Sequence, residues 1–253
     1  HSKLELENLI NERTKELSLA LEEVKRISKM KSDFISAVSH ELRTPLTSVK
    51  GYASILTSGK LGQVPEAIKE RLDKINKHSD SLVKLINDLL DISRIEAGKV
   101  EMKLEPQSLT EITSSVADLL QPQIKEKEID LQINLPKDIP AVMADLSQIE
   151  RVFINLVGNA IKFTPPNGWI KISAYDSADF VEINIADSGI GIAEQEVSKI
   201  FQEFYRVDNV LNQTLKGSGL GLSLVKYIFE AHTGKIWFKS QLNKGSEFHF
   251  TLP

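Results

Sequence analysis

The chain contains no cysteine. This removes disulfides, thiol nucleophiles and thiolate metal sites, and it suits a reducing compartment. No apolar run approaches the ~18–20 residues that span a bilayer, and no secretory leader is visible. The net charge is −4, and no basic block is long enough to follow a nucleic-acid backbone, so nucleic acid is set aside as a partner. The Gly-x-x-x-x-Gly-Lys-Ser/Thr pattern of the P-loop is also missing. What is present is 253 residues, 41% of them apolar, enough for one large domain or two ordinary ones with a real core. The sequence opens at His1 without an initiator methionine, inside an amphipathic pattern. It therefore reads as an excised fragment, with room for a membrane anchor outside it.

From Leu4 to about Ser58 the pattern is helical. Ile10, Leu17 and Val24 recur every seven residues, with Ala20, Ile27 and Phe34 on the companion seam, the signature of a coiled coil. One helix cannot bury such a stripe alone, so a dimer is expected; a packed helix in a monomer is the alternative. Gly59 to Pro65 breaks the helix, and a second amphipathic helix follows from about Pro65 to Ala97. Its apolar face is built from Ile68, Leu72, Ile75, Leu82, Leu85, Ile86, Leu89 and Ile92. Gly98 ends it in the C′ manner. Two such hairpins make a four-helix bundle. Beyond residues 98–106 the composition changes. Strands are expected at Val100–Leu104, Ile129–Leu135, Trp169–Tyr175, Phe180–Ala186, Lys235–Lys239 and Glu247–Thr251, and helices at Leu109–Gln121, Asp145–Phe163, Gln195–Phe204 and Leu220–His232. This mixture predicts a two-layer α/β sandwich.

Ser39-His40-Glu41-Leu42-Arg43-Thr44-Pro45-Leu46 places an imidazole beside a carboxylate on a helix. Imidazole can act as a nucleophile near neutral pH. Glu41 can accept the proton on one ring nitrogen and leave the other lone pair free to attack, although such a pair can equally face water. Pro45 removes a backbone donor and is expected to bend or loosen the helix at Glu41. Two loops, Asp187-Ser188-Gly189-Ile190-Gly191-Ile192 and Gly217-Ser218-Gly219-Leu220-Gly221-Leu222, hold five of the thirteen glycines. The second runs into a helix whose N–H groups and dipole favour phosphate. Asn155 and Asn159, four apart, share a helix face with Lys162 nearby. Amide oxygens suit Mg²⁺ and the lysine suits phosphate, yet a solvated polar face has the same spacing.

In this order the motifs resemble the catalytic part of a sensor histidine kinase of two-component signalling, over roughly residues 30–253, and the resemblance implies a cytoplasmic portion whose upstream sensor domain lies outside this fragment. The segment at His40 resembles the phosphoacceptor box and Asn155–Phe163 the N box. The Asp187 and Gly217 loops resemble the two glycine boxes, and Phe201–Arg206 the F box. Residues 1–29 match only as a generic signalling coiled coil, 30–98 as the dimerisation and phosphotransfer domain, and 99–253 as the ATP-binding domain. The resemblance implies a Bergerat-type ATP cradle in which Asp187 binds the adenine amino group. Asn159 would bind Mg²⁺ with Asn155 close by, and Lys162 and Arg206 would meet the phosphates. Phe163 and Tyr205 would wall the nucleotide, with Ile192 and Leu222 packed around it. Gly189, Gly191, Gly217, Ser218, Gly219, Leu220 and Gly221 would form the glycine boxes that contact it, and Val207–Lys216 would be a lid.

His40 would be autophosphorylated from ATP and the phosphoryl group passed to an aspartate on the receiver domain of a response regulator. Thr44 would hold a water that dephosphorylates the regulator, or simply bond back to a carbonyl. Ser48, Gly51, Tyr52 and Ile55 continue the His40 face and would read the receiver, although Tyr52 and Ile55 could pack on the second helix instead. His78, His232 and His249 are assigned no catalysis. Many relatives carry Gly-Gly after the histidine at 232, where this chain has Thr233-Gly234. The competing readings are an ATPase of the same fold without phosphoacceptor activity, and a non-catalytic dimeric scaffold.

Overall fold

The computed structural model describes residues 2–98, 100–177, 179–207 and 217–253. They form two compact units, residues 1–100 and 101–253. The first is a helical hairpin of α1 (Ser2–Thr57) and α2 (Glu66–Glu96). The turn between them uses Gly59 and Gly62, both at positive φ. Gly98, at φ +63°, ends the second helix by donating its N–H to Ile95 O. The helices meet through Ile35, Leu46, Ile86, Leu89 and Leu90. Cross-helix bonds run from Lys31 to Glu96 (2.8 Å) and from Arg43 to the Asn87 oxygen (2.9 Å). Helix α1 runs on through Pro45.

The second unit contains β1 (Glu105–Gln107), α3 (Leu109–Glu126), β2 (Asp130–Asn134), β3 (Val142–Ala144), α4 (Leu146–Phe163), β4 (Trp169–Ser177), β5 (Phe180–Asp187), α5 (Gly221–Ala231), β6 (Ile236–Gln241) and β7 (Gly245–Leu252). Five strands form one sheet in the order β2-β4-β5-β7-β6, with only β2–β4 parallel. Alternation along β4 and β5 sends Ile170, Ile172, Ile183 and Ile185 inward. They are joined there by Val152, Phe153 and Leu156 of α4 and by Val225, Ile228 and Phe229 of α5. The Phe250 ring meets Phe229 (4.6 Å between centroids) and the edge of Phe153 (5.5 Å). Each such fully buried side chain contributes roughly 1.5–3 kcal/mol.

Caps set the helix starts. Ser108 accepts from Glu111 N, and Asp145 accepts from Gln148 N. His232 holds the end of α5 to the start of α4: its Nδ1 is 2.8 Å from Ile228 O, and its Nε2 accepts from Asp145 N (3.0 Å).

Several expectations need correction. Val100–Leu104 is not a strand; the strand is Glu105–Gln107, paired antiparallel with Val142–Ala144, a strand that the sequence reading missed. Residues 195–204 do not make an α-helix. They form a 3₁₀ turn at Glu194–Glu196, followed by i→i−3 bonds such as Lys199 N to Glu196 O and Gln202 N to Lys199 O. Helix α3 continues past Gln121 to Glu126, because Pro122 is exposed and the buried Ile124 holds the added turn.

Candidate active site

In the hairpin, His40 lies on the exposed side of α1, next to the buried Ser39. Neither the His40 ring nor the Glu41 carboxylate bonds to another described residue. Thr44 Oγ1 donates to His40 O at 3.4 Å, the back-bonding alternative, and Ser48 Oγ donates to Thr44 O at 3.2 Å. Gly51, Tyr52 and Ile55 continue the exposed stripe, with Tyr52 70% and Ile55 43% accessible. The packing alternative therefore does not describe Tyr52.

The second unit builds its site around α4 and the two glycine loops. Asp187 closes β5 and is 7% exposed. Its Oδ1 accepts from Gly189 N (2.8 Å) and Ser246 N (3.3 Å), while Oδ2 takes no bond from the described residues. Burial outweighs these two donors and raises its pKa to about 6. The first loop fits because it lacks side chains. A Cβ on Gly189 would lie 2.8 Å from Phe163 O, and one on Gly191 (φ +65°) would lie 2.0 Å from Gln241 O. Ile192 N donates to Ser240 Oγ (2.8 Å).

The second loop lies against α4. Gly217 sits beside the Lys162 ammonium, Gly221 beside Asn155 Oδ1, and Gly219 (φ +76°) against the Phe204 backbone, leaving 3.0, 2.9 and 2.6 Å for an added Cβ. Leu220 N donates to Ser218 Oγ (3.2 Å), Leu220 is buried, and Gly221 and Leu222 open α5.

The Lys162 ammonium lies 4.9 Å over the Phe163 ring. Burial lowers its pKa, and the nearby positive charge of Arg206 adds to the shift. Two cations held this close favour an anion between or beside them. Asn155 donates to Arg151 O through Nδ2 (2.9 Å), leaving Oδ1 toward the glycine loop. The Asn159 amide makes no bond to a described residue. The Tyr205 hydroxyl bonds Glu196, with the Lys199 ammonium 5.7 Å over its ring. Of the lid segment, only Val207 falls within the described residues; 208–216 lie outside them.

Sequence reasoning missed Ser246, Ser240 and Gly245. A Cβ on Gly245 (φ +94°) would meet Asp187 O at 1.8 Å, so a bare backbone there brings Ser246 N to the carboxylate. The Asn243-Lys244-Gly245 turn was readable; its contact with Asp187 was not.

Two family models match the chain. The His Kinase A (phospho-acceptor) domain covers residues 30–98, and the histidine kinase-, DNA gyrase B- and HSP90-like ATPase covers 144–253. The chain belongs to the sensor histidine kinases and forms a catalytic region of that family. It is 36% identical to the circadian input-output histidine kinase CikA of Synechococcus elongatus over 98% of this chain and 33% of the relative. It spans about a third of the length of the curated relatives it matches. Among solved structures, full-length ShkA in complex with AMPPNP superposes with a TM-score of 0.76 at 29% identity, over 87% of this chain and 45% of that one. The histidine kinase ThkA in complex with the response regulator protein TrrA gives 0.60 at 29% identity, over 87% and 61%.

Proposed function

We propose that this chain transfers the γ-phosphoryl group of ATP to His40 and then to an aspartate of a response-regulator receiver domain. The observation that carries the reading is the pairing, in one chain, of an exposed helical imidazole with a glycine-walled cradle holding one buried carboxylate and two crowded cations. Residues 1–29 act as a signalling coiled coil, 30–98 as the dimerisation and phosphotransfer domain, and 99–253 as the ATP-binding domain. In the cradle, Asp187 Oδ2 takes the adenine amino group, Phe163 and Tyr205 flank the nucleotide, and Ile192 and Leu222 pack around it. Lys162, Arg206 and the N–H groups opening α5 meet the phosphates.

The donor set also fits Mg²⁺, since the Asn159 amide has no competing partner and Asn155 Oδ1 faces the second glycine loop. When bound there, the ion would neutralise phosphate charge. One His40 ring nitrogen forms its bond to phosphorus as the bond to the ADP oxygen breaks, while Glu41 holds the proton on the other nitrogen. After transfer to the regulator, Thr44 positions a water for dephosphorylation. The exposed Ser48, Gly51, Tyr52 and Ile55 read the receiver. ThkA bound to a response regulator is the precedent for this partner class.

A homodimer is supported by apolar side chains that the hairpin leaves uncovered: Leu17, Val24, Ile27 and Phe34 on α1, and Ile68, Ile75 and Leu82 on α2. No helix among the described residues is long and apolar enough to cross a membrane. We place this portion on the cytoplasmic side.

Incubation with γ-labelled ATP tests the reading. The parent chain is expected to take up acid-labile, base-stable label, and His40→Gln to take up none while binding ATP as before. Label retained in His40→Gln, or ATP turnover without labelled protein, would refute the proposal.

A further inference from the structure

Helix α4 ends without the glycine that commonly terminates a helix. Its cap, Thr164, is extended (φ −79°, ψ 129°), and Pro165 and Pro166 follow. In a continuing helix, Ile161 O and Lys162 O would accept from the N–H groups four residues on. Those residues are the two prolines, which carry no N–H. The sequence has thus deleted the donors for the turn that carries Lys162 and Phe163.

Lys127, just past the end of α3, supplies them. Its Nζ donates to Ile161 O (2.7 Å), Lys162 O (2.9 Å) and Thr164 O (2.9 Å). An ammonium has three hydrogens, and all three are used here; no carboxylate is bonded. The remaining carbonyl, Phe163 O, accepts from Ile190 N of the first glycine loop (3.3 Å). Lys127 O accepts from Asn167 N (3.0 Å), so the residue is tied in both directions to the segment that follows α4. Its side chain is half-buried, its pKa is lowered by that burial, and its charge faces the negative end of the α4 dipole.

We propose that Lys127 is a positioning residue of the nucleotide site. It fixes the Ile161–Thr164 turn and, through it, aims the Lys162 ammonium at the phosphates. Arginine cannot replace it fully, because a planar guanidinium spreads its donors along a fork and does not converge three of them from one nitrogen. The inference rests on the nucleotide-site reading above, and the test separates the two.

The experiment is a double-mutant cycle on the full chain, read by ATP titration and by circular dichroism. Lys127→Met is expected to keep its secondary structure and to weaken ATP binding about 10- to 100-fold, the loss expected when a binding group is displaced by a fraction of an ångström to an ångström. Lys127→Arg is expected to lose about 3- to 10-fold, since two of the three carbonyls stay within reach. In a Lys162→Met background, Lys127→Met should add less than about 2-fold, because the two residues act through one turn. A residue that merely stabilised the fold would cost the same factor in both backgrounds; that result, or undiminished ATP affinity in Lys127→Met, overturns the inference alone. If the parent binds no ATP, or Lys162→Met binds it as tightly as the parent, the site reading fails and takes this inference with it. Should Lys127→Met not fold, Lys127→Arg carries the same cycle with the same criteria.

Discussion

If Asp187 takes the adenine amino group, as proposed, its burial makes that recognition pH-dependent. Burial raises its pKa to about 6, against the pull of the Gly189 and Ser246 N–H groups. If only the ionised form accepts the adenine amino group, the apparent dissociation constant scales inversely with the ionised fraction. That fraction is about 0.97 at pH 7.5, about 0.24 at pH 5.5 and about 0.09 at pH 5. Binding should therefore weaken roughly fourfold by pH 5.5 and roughly tenfold by pH 5. Adenosine is the ligand to titrate, because it has no phosphate of its own to protonate; Asp187→Asn supplies the reference.

The same shift acts on folding with the opposite preference. The native state holds the proton more tightly than the unfolded chain, so the stabilisation is complete below about pH 4 and is lost as pH rises through about 6. A displacement of roughly 2 units corresponds to about 3 kcal/mol at most. Asp187→Asn should then melt higher than the parent above pH 6 and bind adenosine more weakly, with little change in binding between pH 5 and 8. Adenosine affinity that stays flat in the parent over that range, or the same pH slope in Asp187→Asn, would refute the reasoning.

Two further substitutions test the backbone. Gly191→Ala places a Cβ 2.0 Å from Gln241 O at φ +65°; it should cost more than about 2 kcal/mol in thermal melts and weaken adenosine binding with it. Thr233 sits at φ +57° after His232, in the left-handed region that favours glycine. Thr233→Gly should stabilise the chain by about 0.5–1 kcal/mol, the relief of strain being partly offset by the freer unfolded chain, with label uptake at His40 unchanged.

Local patterns carried much of the architecture. The periodicity of residues 4–58 and 65–97 yielded the hairpin, because each helix records its own buried face every three or four residues. Asp145 announced the start of α4 and Gly98 the end of α2, since capping is a contact between near neighbours. Strands β4 and β5 were legible from alternation. Strand β3 was not: three residues alternate too briefly to register, and Val142–Ala144 becomes a strand only by pairing with Glu105–Gln107. The segment 195–204 carried a helical composition, yet its bonds run i→i−3 and Phe204 takes φ +61°. There, contact with Gly219 overrides propensity.

The sequence alone determined which chemical groups are available: the imidazole of His40, the amides and ammonium along α4, the carboxylate of Asp187 and the bare loops at 189–191 and 217–221. Their residue types and order sufficed, because composition fixes reactivity and spacing fixes which of them share a helix face. Tertiary structure alone decided their state. Asp187 holds its proton to about pH 6 because the fold excludes water from it, against the Ser246 N–H that β7 brings beside it. Lys162 loses some of its affinity for a proton because burial and Arg206 act on it together. Lys127 is bonded to the end of α4 because two prolines far along the chain left carbonyls that its ammonium could reach. Desolvation and hydrogen-bond closure are sums over neighbours in space, and those neighbours exist only once the chain has folded.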